Sequence, residues 1–263
     1  MIFAILNVNF TILIVGSDGM KQQLFMDLAE KNHNNNILIE QKHIKNITIN
    51  HYIVDEHNSK KIKKEEGEFY SINFNEETLA KHKKQIIKEV IKSLKQLLNT
   101  KKCHKTLIIG LGNSEIAADS IGVLTTNKII ATNHYNDFLT IPKIALFNPE
   151  VTEKTGISSF NLIKLVVNDL KPDCIIIIDS LLTENDNYLN KCIEINDIGI
   201  IPGSALRDNK EINKKTFNIP VITIGVPLVI KQKNKLYTTP EVSLISDLIS
   251  DIISESINNI FLS

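Results

Sequence analysis

The sequence lacks a net charge. Thirty lysine and arginine residues balance thirty aspartate and glutamate residues over 263 positions. A balanced chain has no overall field that would attract nucleic acid or an anionic membrane. The most basic run, KKIKK at Lys60 to Lys64, is followed at once by Glu65 and Glu66, which cancel much of its charge. We interpret this run as a solvated loop and expect neither nucleic acid nor a membrane as a partner.

Cysteine is also scarce. The three cysteines, Cys103, Cys174 and Cys192, are widely spaced and lie mostly in apolar surroundings, and there is no CxxC pair. An odd number of distant cysteines does not fit a disulfide framework. This pattern favours reduced thiols in a core and a cytoplasmic location.

Several arrangements of catalytic side chains are missing. Six of the seven histidines precede Lys105, and none has the spacing of a zinc-binding helix. Ser204 lacks the nucleophile-elbow pattern, and no histidine follows His134 to act as its base. The loop GLGN, which begins at Gly110, has no third glycine in the place that a dinucleotide site requires. We therefore expect no metal and no cofactor.

The chain has enough apolar residues for a sizeable core, since 43% of it is hydrophobic, and we expect a globular, soluble protein. Its first fifteen residues, MIFAILNVNFTILIV, are apolar. At ~1.5 Å per residue they are too short to span a bilayer of about 30 Å. Three interpretations stay open: an interfacial anchor, a β-strand, or an upstream start, because Met20 opens a more ordinary sequence.

The N-terminal third alternates between apolar and polar residues as in a sheet with one wet face. After a predicted loop at Asn32 to Asn36, strands are predicted at Ile37–Glu40, Ile44–Val54 and Phe69–Phe74, with a polar connection at His57–Gly67. The apolar stripe of Thr78 to Leu98 predicts a helix that covers this sheet.

From Thr106 onward, continuous apolar strands alternate with helices, which is typical of a parallel sheet buried on both faces. The predicted strands lie near Thr106–Leu111, Lys143–Phe147, Cys174–Ile178, Cys192–Ile195 and Val221–Gly225. The predicted helices lie near Asp119–Thr132, Ser158–Asp169 and Pro240–Phe261. The expected fold is α/β, with a mostly parallel central sheet and a small N-terminal β subregion.

Two aspartates, Asp119 and Asp179, lie near the ends of predicted strands, where open α/β sheets place their chemistry. Asp119 precedes an apolar helical pattern, so an ordinary helix N-cap also explains it. Asp179 follows four consecutive isoleucines, Ile175 to Ile178. Desolvation of a carboxylate there is unfavourable unless it has partners or a task, and hydrogen bonds from loop amides are the structural alternative. We expect both carboxylates to share one site.

At this point the sequence resembles the germination protease (spore protease) family of spore-forming bacteria, from about Met26 to Ser263. The matching runs, in chain order, are Asp27-Leu28-Ala29-Glu30, Gly110-Leu111-Gly112-Asn113, Asp119-Ser120-Ile121-Gly122, Thr155-Gly156, Lys171-Pro172-Asp173, Ile178-Asp179-Ser180-Leu181, Ile195 to Ile200, Pro202-Gly203-Ser204, Ile219 to Pro227 and Thr238 to Glu241. Many ordered matches are far more specific than any one of them.

The resemblance implies an endopeptidase that degrades small acid-soluble spore proteins at germination, in the spore cytoplasm if the organism sporulates. It also implies a zymogen, a homotetramer, and a three-layer α/β/α, phosphorylase/hydrolase-like fold similar to that of hydrogenase maturation proteases. The two catalytic aspartates of the family fall on Asp119 and Asp179. We expect one protease domain over residues 20–263, with residues 1–19 as an extension or propeptide.

Electrostatic repulsion between two neighbouring carboxylates favours a pair that shares one proton, as a catalytic pair requires. Two charged carboxylates about 5 Å apart, at an effective dielectric of ~20, repel by roughly 3 kcal/mol, so they would share one proton near neutrality. A helix N-terminus contributes less than this but can select which member ionises. We expect Asp119 to be the ionised base that activates water. We expect Asp179 to be the protonated partner.

The chain also departs from the family pattern. Prolines flank the family's first catalytic motif, where this chain has Ala118 and Val123, and two family arginines are replaced within Thr132–His134 and Thr183–Asn185. The family run His-Pro-Gly-Ser-Gly is here Ile201 to Ala205. Missing arginines remove carboxylate clamps.

Two alternative functions stay open. One is a hydrogenase-maturation-like peptidase with another substrate. The other is a non-catalytic homologue that only binds spore proteins.

Overall fold

The computed structural model describes residues 11–12, 22–31, 38–62, 65–98, 103–135, 140–201, 210–233 and 235–262. The predicted loop at Asn32–Asn36, residue Ser204 and most of the apolar run 1–15 lie outside these ranges. Within the described parts of the chain, every helix is too short or too polar to cross a lipid bilayer.

Strands and helices alternate along most of the chain. The strands are β1 (Thr11–Ile12), β2 (Leu38–Ile44), β3 (Ile47–Val54), β4 (Gly67–Asn73), β5 (Lys105–Gly110), β6 (Lys143–Phe147), β7 (Cys174–Thr183), β8 (Cys192–Asn196), β9 (Val221–Gln232) and β10 (Lys235–Thr238). The helices are α1 (Phe25–Lys31), α2 (Glu56–Ile62), α3 (Glu76–Lys81), α4 (Lys83–Leu97), α5 (Ile121–Thr126), α6 (Thr152–Thr155), α7 (Ser159–Leu170), α8 (Lys214–Phe217) and α9 (Val242–Phe261).

The strands form one sheet in the order β2-β3-β4-β8-β9-β7-β5-β6, with β10 beside β9 and β1 beside β10. Strands β9, β7, β5 and β6 pair in parallel. The pairs from β9 through β8 and β4 to β2 are antiparallel. The predicted α/β class with parallel central strands is confirmed, and the N-terminal β subregion continues the same sheet through the pairing of β4 with β8.

Helices cover both faces of the sheet. On one face, α4, α5 and α9 pack against a core that includes Ile176 and Ile178. On the other face, α7 packs against Ile175 and Ile177. Because successive strand residues point to opposite faces, the isoleucine run of β7 fills both cores, and all four side chains are fully buried. This arrangement is the three-layer α/β/α architecture.

Two local predictions in the N-terminal third are wrong. The segment predicted as a polar connection contains α2, because the carboxylate of Asp55 accepts a 2.8 Å hydrogen bond from the amide of Asn58 and so caps the first turn. The helix predicted over Thr78–Leu98 is two helices, because the backbone of His82, with φ −122° and ψ 25°, interrupts it between α3 and α4. Part of the basic run therefore lies on a helix and not in a loop.

The three cysteines are free and buried, as predicted for core thiols. Burial raises the pKa of the Cys192 thiol well above its ordinary value. A protonated, inaccessible thiol is a poor nucleophile, so this residue has a packing role.

Strand β7 is longer than predicted, and this positions the site. The partner strand β5 stops pairing with β7 at Gly110 opposite Ile178. Strand β9 continues to pair with β7 as far as Thr183. Beyond Ile178, β7 therefore has no β5 beside it. The space that β5 vacates is filled by the chain that returns at Asp119.

Candidate active site

The return of the chain to β7 depends on glycines that let three backbones approach closely. A Cβ atom added at Gly122 would overlap the carbonyl oxygens of Leu111 and Ile178. Gly112 has φ +109°, and a Cβ there would overlap the carbonyl oxygen of Asp119. The glycines of the GLGN run and Gly122 thus allow the loop before α5 to pack closely against the end of β5.

Asp119 does not cap a helix. It ends a 3-10 turn, Ala117–Asp119, and Ser120 is the residue at the N-cap of α5. The half-buried carboxylate of Asp119 instead accepts hydrogen bonds at both oxygens. Oδ2 accepts from the amide of Asn113 at 2.9 Å, and Oδ1 accepts from the hydroxyl of Ser180 at 3.0 Å. These bonds fix the orientation of its side chain.

Asp179 lies within β7, opposite Gly225 of β9, and its side chain is 7% exposed. Its Oδ1 atom accepts a 2.8 Å hydrogen bond from the amide of Ser180. The predicted structural partner, a backbone amide, is therefore present, but it belongs to the next residue of the strand and not to a loop.

Ser180 connects the two aspartates. Its amide donates to Asp179 and its hydroxyl donates to Asp119. From these two hydrogen bonds and standard covalent geometry, the Oδ1 atoms of Asp119 and Asp179 are less than about 10 Å apart. The two residues that sequence analysis selected, sixty positions apart, are thus brought to the same edge of the sheet. The sequence did not indicate this link, although Ser180 belongs to the run Ile178-Asp179-Ser180-Leu181.

Charged residues surround the loop before Asp119. Lys154 contacts Glu115 at 3.1 Å and Glu150 at 3.5 Å. The pKa of Lys154 is raised, and its hydrogen bond to Glu115 is the largest cause. In the described residues, no group of three or more His, Cys, Asp or Glu side chains could hold a metal ion.

The N-terminal motif Asp27-Leu28-Ala29-Glu30 lies beside the C-terminal end of β7, the strand that carries Asp179. Helix α1 is held there by two buried carboxylates. Glu194 accepts from the amide of Phe25 at 2.8 Å. Asp27 accepts from the hydroxyl of Thr183 at 3.0 Å and from the amide of Glu184 at 2.8 Å.

The family model of germination proteases matches residues 17–252 of this chain. The chain belongs to the germination protease family. A germination protease from Oceanobacillus iheyensis is 30% identical over 206 residues, 74% of this chain and 56% of the relative. One from Geobacillus is 33% identical over 210 residues, 74% of this chain and 55% of the relative. The chain therefore spans little more than half the length of these relatives of the germination protease family.

Solved structures of other proteases also resemble this family member. The NiFe hydrogenase maturation protease HycI from Thermococcus kodakarensis is 14% identical, with a TM-score of 0.38 over 60% of this chain and 94% of that protein. The hydrogenase maturating endopeptidase HybD from E. coli is 16% identical, with a TM-score of 0.33 over 59% of this chain and 90% of that protein.

Proposed function

We propose that this member of the germination protease family is an endopeptidase that cleaves small acid-soluble spore proteins at germination, with Asp119 and Asp179 as its catalytic pair. One observation carries the proposal: Ser180 bridges both carboxylates at the edge of the sheet where β5 has ended. Family membership supports the reaction class. The proposed reaction uses no metal and no cofactor.

Asp119 is the base in this mechanism. Hydrogen bonds to both of its oxygens hold the carboxylate in place, and this carboxylate accepts a proton from a water molecule. The oxygen of that water attacks the carbonyl carbon of the scissile peptide bond. Asp179 is the acid and gives its proton to the carbonyl oxygen or to the leaving nitrogen. The tetrahedral intermediate collapses once its nitrogen has taken a proton from the pair: the carbon–nitrogen bond breaks and the carbonyl forms again. The pair then holds one proton, as it did at the start.

The test is cleavage of a purified small acid-soluble spore protein by the full chain and its Asp119→Asn and Asp179→Asn variants. Each substitution removes a proton-transfer group, so we expect each to lower kcat by at least about 100-fold. Asp173→Asn is the matched control, because its carboxylate also accepts a backbone amide, from Lys105 at 2.8 Å, but lies at the opposite end of β7. Retained cleavage by either Asp119→Asn or Asp179→Asn would refute the paired mechanism.

Two alternatives have distinct outcomes in the same assay. Binding of the spore protein without cleavage by the wild-type chain would indicate a non-catalytic homologue. Cleavage that requires added nickel or another metal would indicate the chemistry of a hydrogenase-maturation-like peptidase. Cleavage in the presence of a chelator supports the metal-independent proposal.

Finer properties of the family are part of the proposal. The protein is made as a zymogen, assembles as a homotetramer and acts in the cytoplasm of the spore. Mass spectrometry of the active enzyme tests N-terminal trimming near Phe25 to Leu28, and sedimentation tests the tetramer. An untrimmed active enzyme would argue against the zymogen, and a monomer at assay concentration would argue against the tetramer.

A further inference from the structure

Ser180 of β7 contacts both aspartates of the candidate active site. Its side chain is fully buried. Its hydroxyl donates a 3.0 Å hydrogen bond to Oδ1 of Asp119, which lies sixty-one residues earlier in the chain. Its amide donates to Oδ1 of Asp179 at 2.8 Å. One residue thus contacts both carboxylates of the proposed pair through different groups.

These contacts act differently on the two aspartates. The hydroxyl donates its one hydrogen to Oδ1 of Asp119, so this bond restricts the rotation of the Asp119 side chain. The amide donates to Asp179 within the strand itself. One residue of β7 therefore fixes the placement of both carboxylates.

We propose that Ser180 is a positioning residue, which holds the carboxylate of Asp119 in place so that Asp119 acts as the base and Asp179 as the acid. This inference rests on the proposed function. Ser180 itself does not contact the substrate or transfer a proton to it. Its effect on catalysis passes through Asp119.

Other charged groups lie on the segments that adjoin or contact the 3-10 turn of Asp119. Strand β7 contributes Asp179, and the preceding loop contributes Glu115, which is paired with Lys154. Helix α9, which packs on the turn, contributes Asp247, which is paired with Lys128 at 2.6 Å. These groups are the same in every variant of Ser180, so a difference between variants reports the hydroxyl.

The experiment compares the pH profiles of kcat and KM for cleavage of a small acid-soluble spore protein by wild type, Ser180→Ala, Ser180→Thr and Ser246→Ala. Ser246 is the matched control, because its buried hydroxyl donates to the carbonyl of Ala117 in the same turn and does not contact a carboxylate. In Ser180→Ala we expect kcat to fall about tenfold with KM changed less than about twofold, because the chemical step depends on the placement of Asp119 and substrate binding does not.

Ser180→Thr keeps a hydroxyl and should restore most of the wild-type kcat, while Ser246→Ala should leave kcat unchanged. A wild-type kcat in Ser180→Ala would overturn the proposal, as would an equal loss of kcat in Ser246→Ala. Loss of activity at every pH in Ser180→Ala that Ser180→Thr does not restore would also overturn it, because a positioning residue leaves residual catalysis.

A second measurement separates this inference from the proposed function. Crystal structures of wild type and Ser180→Ala in the absence of substrate compare the rotamer and the B-factors of the Asp119 side chain. A changed or more mobile side chain in the variant supports the positioning role even if the protein cleaves no spore protein. An unchanged side chain would refute it, whereas activity in Asp119→Asn refutes only the catalytic pair.

Discussion

The hydroxyl of Thr183 donates a 3.0 Å hydrogen bond to the buried carboxylate of Asp27, and this bond joins helix α1 to the last residue of β7. The amide of Glu184 donates to the other oxygen of the same carboxylate. The N-terminal motif of the family is thus attached four residues after Asp179. Any event that releases α1 therefore removes its contacts with the end of the strand that carries the candidate site.

The attachment of Asp27 predicts a pH dependence of stability. Burial, the largest cause, raises the pKa of Asp27 above 3.8, and the hydrogen bonds from Glu184 and Thr183 only partly oppose this. The folded protein therefore binds this proton more tightly than the unfolded chain does. As pH rises from 3.8 through the raised pKa of Asp27, the free energy of unfolding falls. Above that pKa, the stabilisation that the protonated form contributes is lost.

We expect Asp27→Asn to flatten this part of the stability profile, because an amide does not titrate. Urea unfolding at a series of acidic to neutral pH values measures the effect. Asp197, whose pKa burial also raises, stays in both proteins and contributes equally. Parallel profiles for wild type and Asp27→Asn would contradict the prediction.

The proposed trimming near Phe25 to Leu28 requires local opening. The ring of Phe25 is 1% exposed and stacks on Phe69 with the ring centroids 3.8 Å apart. A protease cannot bind a peptide bond that is buried in this way, so cleavage should track the population in which α1 is detached. Phe25→Ala removes the anchor, at a cost of about 3–5 kcal/mol, and we expect it to accelerate trimming.

Mass spectrometry of timed digests measures this rate. Phe261→Ala is the control, because it removes a buried ring from α9 without a contact to α1. Similar acceleration in both variants would mean that trimming follows global unfolding and not release of α1.

A third prediction concerns the close approach of the backbones at Gly122. Gly122→Ala should disrupt the site, because the added methyl group meets the carbonyl oxygens of Leu111 and Ile178, which belong to the rigid sheet edge. We expect a loss of about 1–3 kcal/mol in stability and a larger loss of cleavage, as Asp119 moves away from Ser180.

Gly156→Ala provides the comparison. Gly156 has φ +70° but no atoms within 4 Å of an added Cβ, so only backbone strain of about 1 kcal/mol is expected. Cleavage by this variant should stay close to wild type once it is folded. Circular dichroism melts and cleavage rates measured on both variants test the pair of expectations, and equal loss of activity would contradict them.

Much of the secondary structure was predictable because it depends on local pattern. The predicted strand Lys143–Phe147 is confirmed at the same residues, and the predicted helix Ser158–Asp169 is confirmed within one residue at each end. The errors arose where short polar contacts decide the outcome. Asp55 caps α2 in a segment with no apolar periodicity, and His82 breaks a stripe of apolar residues that continues across it.

The sequence by itself determined that β7 is buried on both faces, because four consecutive isoleucines can be desolvated on both sides only inside a layered α/β protein. It also indicated Asp119 and Asp179 as candidates, because they are carboxylates beside apolar strands. Only the tertiary structure decided that β9 continues to pair with β7 beyond the end of β5. It alone also decided that Ser180 links the two aspartates. Such pairings join residues far apart in the chain, and no local pattern of residues encodes which distant hydroxyl will donate to which carboxylate.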